Sequence, residues 1–146
     1  MKDLANCIAI KRVLSPASVA DNTAQVGQII DRQGYDSVTY GILTGSLADA
    51  DATFTVLLEE GAAANLSDAA AVADADMISQ TVGTLPEAAA SFTFAADDNV
   101  RKLGYIGNKR YTRMTITPGA NASAALLSAF AILGNADIEP VVQPVS

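Results

Sequence analysis

Arg101, Lys102, Lys109, Arg110 and Arg113 put five of the nine basic residues into one block, RKLGYIGNKRYTRMTITPG, in a chain of formal net charge -7. Cations at this density, interleaved with Tyr105 and Tyr111, suit contact with an acidic partner, because arginine and tyrosine are enriched at interface centres. Other chemistry is narrowly bounded. The sequence has no histidine, so the usual neutral-pH base and the usual zinc ligand are absent, and a Ser-His-Asp, Cys-His or His-metal centre has no means of assembly. Two spaced acids can cleave a glycosidic bond without histidine. Glu59-Glu60 and Asp97-Asp98, however, are neighbours at strand ends, where adjacent side chains point to opposite faces, and they read as solvated charges. Asp49-x-Asp51 and Asp74-x-Asp76 lack the glycine and distal glutamate of an EF-hand loop. Gly104-x-x-Gly107 lacks the helix that follows a phosphate-binding glycine loop and reads as backbone turning. Cys7, among Ile8, Ala9 and Ile10, reads as a buried structural thiol. No catalytic, cofactor or metal site is expected. The candidate partner-binding residues are Arg101, Lys102, Tyr105, Lys109, Arg110, Tyr111 and Arg113. A second reading of the same cations stands beside this one: long charged side chains on an exposed strand discourage edge-to-edge pairing.

The elements that must carry these residues read mainly as strands. Thr112, Met114 and Ile116 alternate with Tyr111, Arg113 and Thr115 at a strand's two-residue period, and Pro118-Gly119 ends the run. Upstream, Val100, Leu103, Tyr105 and Ile106 supply a first arm, and Gly107-Asn108 a tight turn, so Arg101 to Gly119 is expected to be one β-hairpin. Further strands are expected at Cys7 to Leu14, Val26 to Ile30, Val38 to about Gly45, Thr53 to Glu60, Ser91 to Ala95 and Leu126 to Leu133. The last is apolar on both faces, which points to an interior position in a sheet. Ser15 to Asn22 reads as a loop, and LSDAAAVADADMI from Leu66 to Ile78 as either a short helix or an alanine-rich surface loop. The paired strands at Val38 to Leu58 and those at Val100 to Ile116 are expected to hold comparable places in two sheets. These elements predict a mainly β fold, an antiparallel, jelly-roll-like β-sandwich of about seven to eight strands with at most one short helix.

At 146 residues the chain fits one domain, long enough to bury roughly two-thirds of the surface its unfolded form exposes. Within residues 1-146, a possible N-terminal arm (1-24) and an extended, proline-containing tail (137-146) are expected. Half the residues are hydrophobic and few are aromatic, so the core must come from scattered Val, Ile, Leu, Phe and Met. Such a modest core often gains stability by docking or oligomerising. A single cysteine and no apparent leader predict a chain made and kept in a reducing cytoplasm. No apolar run approaches the roughly 20 residues of a membrane span. The acidic balance disfavours direct nucleic-acid binding, which needs a basic footprint.

At Leu103-Gly104-Tyr105-Ile106-Gly107-Asn108-Lys109-Arg110-Tyr111-Thr112-Arg113, continuing through Thr115-Ile116-Thr117-Pro118 and Ala131-Ile132-Leu133-Gly134, the sequence resembles small structural proteins encoded among tailed-bacteriophage and prophage head genes. Ile30 to Val38 and the Phe54 to Gly61 strand share the likeness, which covers about residues 25 to 134. The resemblance implies a capsid decoration, or cement, protein on the outside of the head, often trimeric, with the major capsid protein and its own copies as partners. It implies a virion location and no active site. Met1 to Asn22 and the tail after Asp137 are then candidate arms toward a neighbour. Two other readings stay open: a carbohydrate-binding β-sandwich on the virion surface, and a tail or head-completion component.

Overall fold

Strand periodicity governs the architecture. The computed structural model describes residues 2–145, and in chain order these form β1 (Ala9–Val19), β2 (Gln25–Val26), β3 (Ile30–Asp31), β4 (Tyr35–Leu47), β5 (Thr53–Gly61), β6 (Ala70–Ala71), β7 (Met77–Ile78), α1 (Pro86–Ala90), β8 (Phe92–Thr93), β9 (Val100–Tyr105), β10 (Tyr111–Gly119) and β11 (Ala125–Ala136). The first sheet runs β1-β11-β4-β9-β7, and the second β2-β10-β5-β6, with β3 also on β10 and β8 on β5. All pairings are antiparallel. The fold is the expected β-sandwich with one short helix, but it has 11 strands rather than seven or eight. The excess consists of two-residue strands, which no period can announce in sequence.

The inner faces meet in one core. Val38, Tyr40 and Ile42 of β4, Leu103 and Tyr105 of β9, and Leu127, Ala129, Ala131 and Leu133 of β11 face Phe54, Val56 and Leu58 of β5 and Met114 and Ile116 of β10. The alternation expected for Thr53 to Glu60 is present, with Phe54, Val56 and Leu58 buried. Burying a side chain of this size contributes roughly 1.5–3 kcal/mol. One polar bridge crosses the core: Tyr40 Oη and Thr112 Oγ1 lie 2.6 Å apart, which satisfies two hydroxyls that would be costly to bury unpaired. Burial pushes the Tyr40 phenol well above its ordinary range. The tyrosine therefore stays neutral.

Several expectations are corrected. Arg101 to Gly119 is not a hairpin: β9 pairs with β4 and β7 in the first sheet, β10 with β2, β3 and β5 in the second. Residues 106–110 instead arch between the sheets. Alternating apolar residues mark an inward face equally well in a hairpin and in an arch, so the pattern located both strands and misassigned their partner. The expected pairing of the strands within Val38 to Leu58 fails in the same way, since β4 and β5 lie in different sheets, β4 beside β9 and β5 beside β10.

Residues 9–19 of the expected N-terminal arm form the edge strand β1, paired to β11. Ser15 to Val19 is therefore strand rather than loop. Register shifts flank Leu14, and Pro16 is tolerated because an edge strand has one side without a ladder. Val26 to Ile30 is split into β2 and β3 by the irregular residues 27–29, where Gly27 N–H donates to the Met114 carbonyl at 2.8 Å.

Leu66 to Ile78 contains no α-helix. Val72 and Met77 are drawn into the core, and β6 and β7 pair with β5 and β9 across the two sheets, with a 3-10 turn at Asp74–Asp76 between them. Burial and edge pairing override alanine's helix propensity. The helix lies at Pro86–Ala90, where proline occupies the first turn, a position that needs no N–H donor. Ser91 to Ala95 shortens to β8. Phe92 is buried and stacks on Phe54 at 4.8 Å between centroids, whereas Phe94 is exposed rather than sharing its face. β11 has the interior place expected of it, between β1 and β4. The tail after Asp137 has no strand among its described residues. It runs along the start of β1 and the residues before it, where Val141 N–H donates to the Asn6 carbonyl and Gln143 bonds Ile10.

Candidate functional site

The arch from β9 to β10 distributes the basic block over two sheets and the connection between them. Leu103 and Tyr105 point inward, so Arg101, at the same parity, also turns toward the interior at the end of the sandwich. Its Nη1 donates to the Ala89 carbonyl at 3.1 Å and its guanidinium lies 5.7 Å from the Phe92 ring centroid. Arg101 thus closes the sandwich over α1. Lys102 faces outward and is exposed, while its backbone N–H donates to Gln80 Oε1 at 2.9 Å.

Tyr105 belongs to the core, with 2% of its surface exposed. Its hydroxyl donates to Glu60 Oε2 at 2.5 Å and accepts from the Lys109 N–H at 3.0 Å. Burial first, and then the neighbouring Glu60 carboxylate, push the phenol far above its ordinary range. It therefore stays an O–H donor. The arch closes tightly here, since a Cβ on Gly107 would come 2.5 Å from Tyr105 Oη. Gly107 is needed for that approach, rather than for the positive φ expected of a hairpin turn. Arg32 completes the anchor, with its guanidinium 5.7 Å from the Tyr105 ring centroid and its Nε donating to the Lys109 carbonyl.

Arg110 donates through Nε and Nη2 to both oxygens of Asp31, at 2.9 and 2.8 Å, and lies 4.9 Å from the Tyr111 ring centroid. These hydrogen bonds hold the Asp31 carboxyl below its ordinary value. Arg113 stands directly opposite Glu59 across β10 and β5 and donates to Glu59 Oε2 at 3.2 and 2.8 Å. Among the described residues, Lys102 and Lys109 are the members of the block whose ammonium groups enter neither an ion pair nor a hydrogen bond. The geometry therefore gathers Tyr105, Lys109, Arg110 and Tyr111 at one end of the sandwich. It sends Arg101, Lys102 and Arg113 elsewhere.

A second surface was not among the expected sites. The outward positions of the first sheet form rows in register: Ile10, Ile132, Thr39, Gly104 and Ile78; Arg12, Phe130, Gly41 and Lys102; Ser128, Leu43 and Val100. Ile10, Leu43, Ile78, Val100 and Leu126 are exposed, and Phe130 is half-buried. The Phe130 ring lies flat over Gly41. Its Cε1 and Cε2 are both 2.7 Å from where a Gly41 Cβ would stand, and Cζ is nearer still. By contrast, the outward face of β5 and β10 carries mainly threonines and the Arg113–Glu59 pair, with Leu57 and Tyr111 among them. The sequence signal for the apolar face was the double-sided apolar character of Leu126 to Leu133, which also describes an interior strand.

The remaining sequence sites stay apart from both surfaces. Cys7 is half-buried rather than buried, its Sγ lies 3.1 Å from the Asp3 carbonyl oxygen, and desolvation raises its thiol pKa. Asp97 accepts from the Leu47 N–H, and Asp49 from Asp51 and Ala122 N–H groups. These carboxylates build turns. Among the described residues no three metal-ligating side chains gather, and no helix is long and apolar enough to cross a membrane.

No protein-family model matches the chain, and no curated protein matches it. Among solved structures it is similar to the PBSX exported protein XepA, with a TM-score of 0.54 and 14% identity over 100% of this chain and 43% of that one. The chain thus spans less than half of that protein. At this identity the likeness is one of fold. The xylan-binding module CBM15 is more distant, with a TM-score of 0.40 and 12% identity over 93% of this chain and 95% of the module.

Proposed function

We propose that this chain is a non-enzymatic structural protein of a tailed-phage virion that binds the outer surface of the capsid as a homotrimer and stabilises the shell. The observation that carries the reading is the exposed apolar face of the first sheet, because a contiguous solvent-facing apolar patch marks a site of protein association. The Leu103 to Arg113 block and its resemblance to phage head proteins support the choice of partner, the major capsid protein. The sandwich shared with the PBSX exported protein XepA supports the fold on which that choice rests. Within the basic block, Lys102 and Lys109 supply the electrostatic part of the contact. Arg110 and Arg113 are engaged by Asp31 and Glu59, and Arg101 and Tyr105 hold the scaffold that presents them. Tyr111 remains at the arch end.

Single-particle imaging of virions tests this reading. Density repeating over the capsid lattice in threefold groups is expected. Copies confined to one vertex or along the tail would instead assign the chain to head completion or tail structure. A carbohydrate-binding alternative has one observation in its favour, the flat, half-buried Phe130 ring between Arg12 and Lys102. Hits on an array of bacterial surface glycans, lost in Phe130→Ala, would favour it.

A further inference from the structure

The row Arg12, Phe130, Gly41 and Lys102 runs across β1, β11, β4 and β9. Three strand spacings separate its two cations, roughly 14 Å at about 4.8 Å each. Around the row stand the exposed side chains of Ile10, Leu43, Ile78, Val100 and Leu126. No Asp or Glu occupies an outward position in these registered rows. Arg12 donates to Ser15 Oγ at 3.0 Å, and neither Arg12 nor Lys102 is in an ion pair among the described residues. The ion pairs lie elsewhere, at Arg110–Asp31 and Arg113–Glu59. In a chain with 16 acidic and 9 basic residues, an apolar face whose charges are all positive is a local reversal of sign.

We infer that the outer face of the first sheet docks on an apolar protein surface that carries carboxylates, which Arg12 and Lys102 meet from either side of Phe130. That this surface belongs to the capsid shell rests on the function proposed above. Charge decides against a second copy packed face to face, because a twofold contact would bury four cations with no carboxylate between them, and unpaired buried charge opposes association. The other sheet of a sister copy offers threonines with Val26 and Leu57, but its outward carboxylates, Glu59 and Asp31, are already held by Arg113 and Arg110. A glycan finds one ring but few hydrogen-bonding groups among the surrounding aliphatic side chains. Edge pairing is obstructed as well: Gln143 bonds both the N–H and the carbonyl of Ile10, and Pro16 interrupts the rest of β1.

Co-sedimentation of the full chain with purified empty heads, at low and high salt, tests the assignment. Leu43 and Val100 are 45% and 64% exposed, so Leu43→Glu and Val100→Glu should melt as wild type does. Both are expected to weaken binding by about tenfold or more. Arg12→Glu combined with Lys102→Glu should weaken it about tenfold at low salt and much less at high salt. Val100→Lys should bind better than Val100→Glu, because the partner supplies carboxylates. Thr55→Glu, on the outward face of the second sheet, should bind as wild type. If wild type binds heads and the face variants bind equally well, or if Thr55→Glu is the variant released, the docking face is wrong while the capsid reading survives. If wild type does not bind heads, the capsid reading fails and the shell is lost as occupant. Sedimentation velocity without heads gives the remaining outcome. An oligomer that Leu43→Glu dissolves would assign the face to a sister copy and overturn the inference.

Discussion

Arg113 and Glu59 face each other across neighbouring strands with 25% and 20% of their side chains exposed, a geometry in which an ion pair is partly sheltered yet still screened. Arg113→Ala should therefore cost about 1 kcal/mol of stability. A double-mutant cycle with Glu59→Ala in urea denaturation should recover most of that as coupling, and purely additive effects would show that the pair contributes nothing. Tyr105→Phe is expected to cost more, roughly 1–3 kcal/mol, since it strands the Glu60 carboxylate and the Lys109 N–H that share its hydroxyl. Acid titration reads a third contact. Arg110 holds the Asp31 carboxyl below its ordinary value of 3.8, so its contribution is whole above the unfolded pKa and disappears as pH falls through the lower folded one. Glu87 runs in the opposite sense. Desolvation raises its pKa against the opposing Leu58 N–H, so the stability linked to it is whole at low pH and is lost as pH rises through the folded value. The melting temperature should decline below about pH 4, slightly less steeply in Asp31→Asn, because that ion pair is largely solvent-exposed.

At the scale of elements, the first sheet depends on close approach between β4 and β11. A side chain at residue 41 meets the Phe130 ring, so Gly41→Ala should destabilise by about 1–3 kcal/mol through overpacking. Phe130→Ala should relieve most of that in the double variant, as thermal melting of the four proteins would show. The edge of the same sheet is protected by the tail rather than by another strand. Gln143 accepts from the Ile10 N–H and donates to its carbonyl, occupying the ladder groups through which another chain could add. Gln143→Ala should leave the core intact and increase concentration-dependent self-association in light scattering. An unchanged scattering curve would mean that the two bulges and Pro16 suffice to guard β1.

For the whole molecule, the two sheets present different faces to solvent. One carries mainly threonines, with Val26 and Leu57, and an ion pair that satisfies itself; the other carries more aliphatic side chains and two cations without carboxylate partners. A protein that binds an assembled shell and not its dissociated subunits stabilises the shell by mass action. On the proposed function, saturating amounts of this chain should raise the temperature at which filled heads release DNA. Val100→Glu should give a clearly smaller increase at concentrations that just saturate the wild type.

The period-two runs at Thr53 to Glu60 and Tyr111 to Ile116, and the interior character of Leu126 to Leu133, determined at the level of sequence that this is a β-sandwich held by scattered aliphatic residues. Each is a local property. A period of two states which residues share a face, whatever the strand pairs with. Partnership was decided by tertiary structure, because β9 and β10 satisfy their inner faces as well in separate sheets as they would in a hairpin, and the choice depends on β4 and β5, distant in sequence. The same long-range decision sent Leu66 to Ile78 along two sheet edges instead of into a helix. It also gave Arg110 and Arg113 the carboxylates of Asp31 and Glu59, and brought Arg12 and Lys102, 90 positions apart in the numbering, into one row beside Phe130.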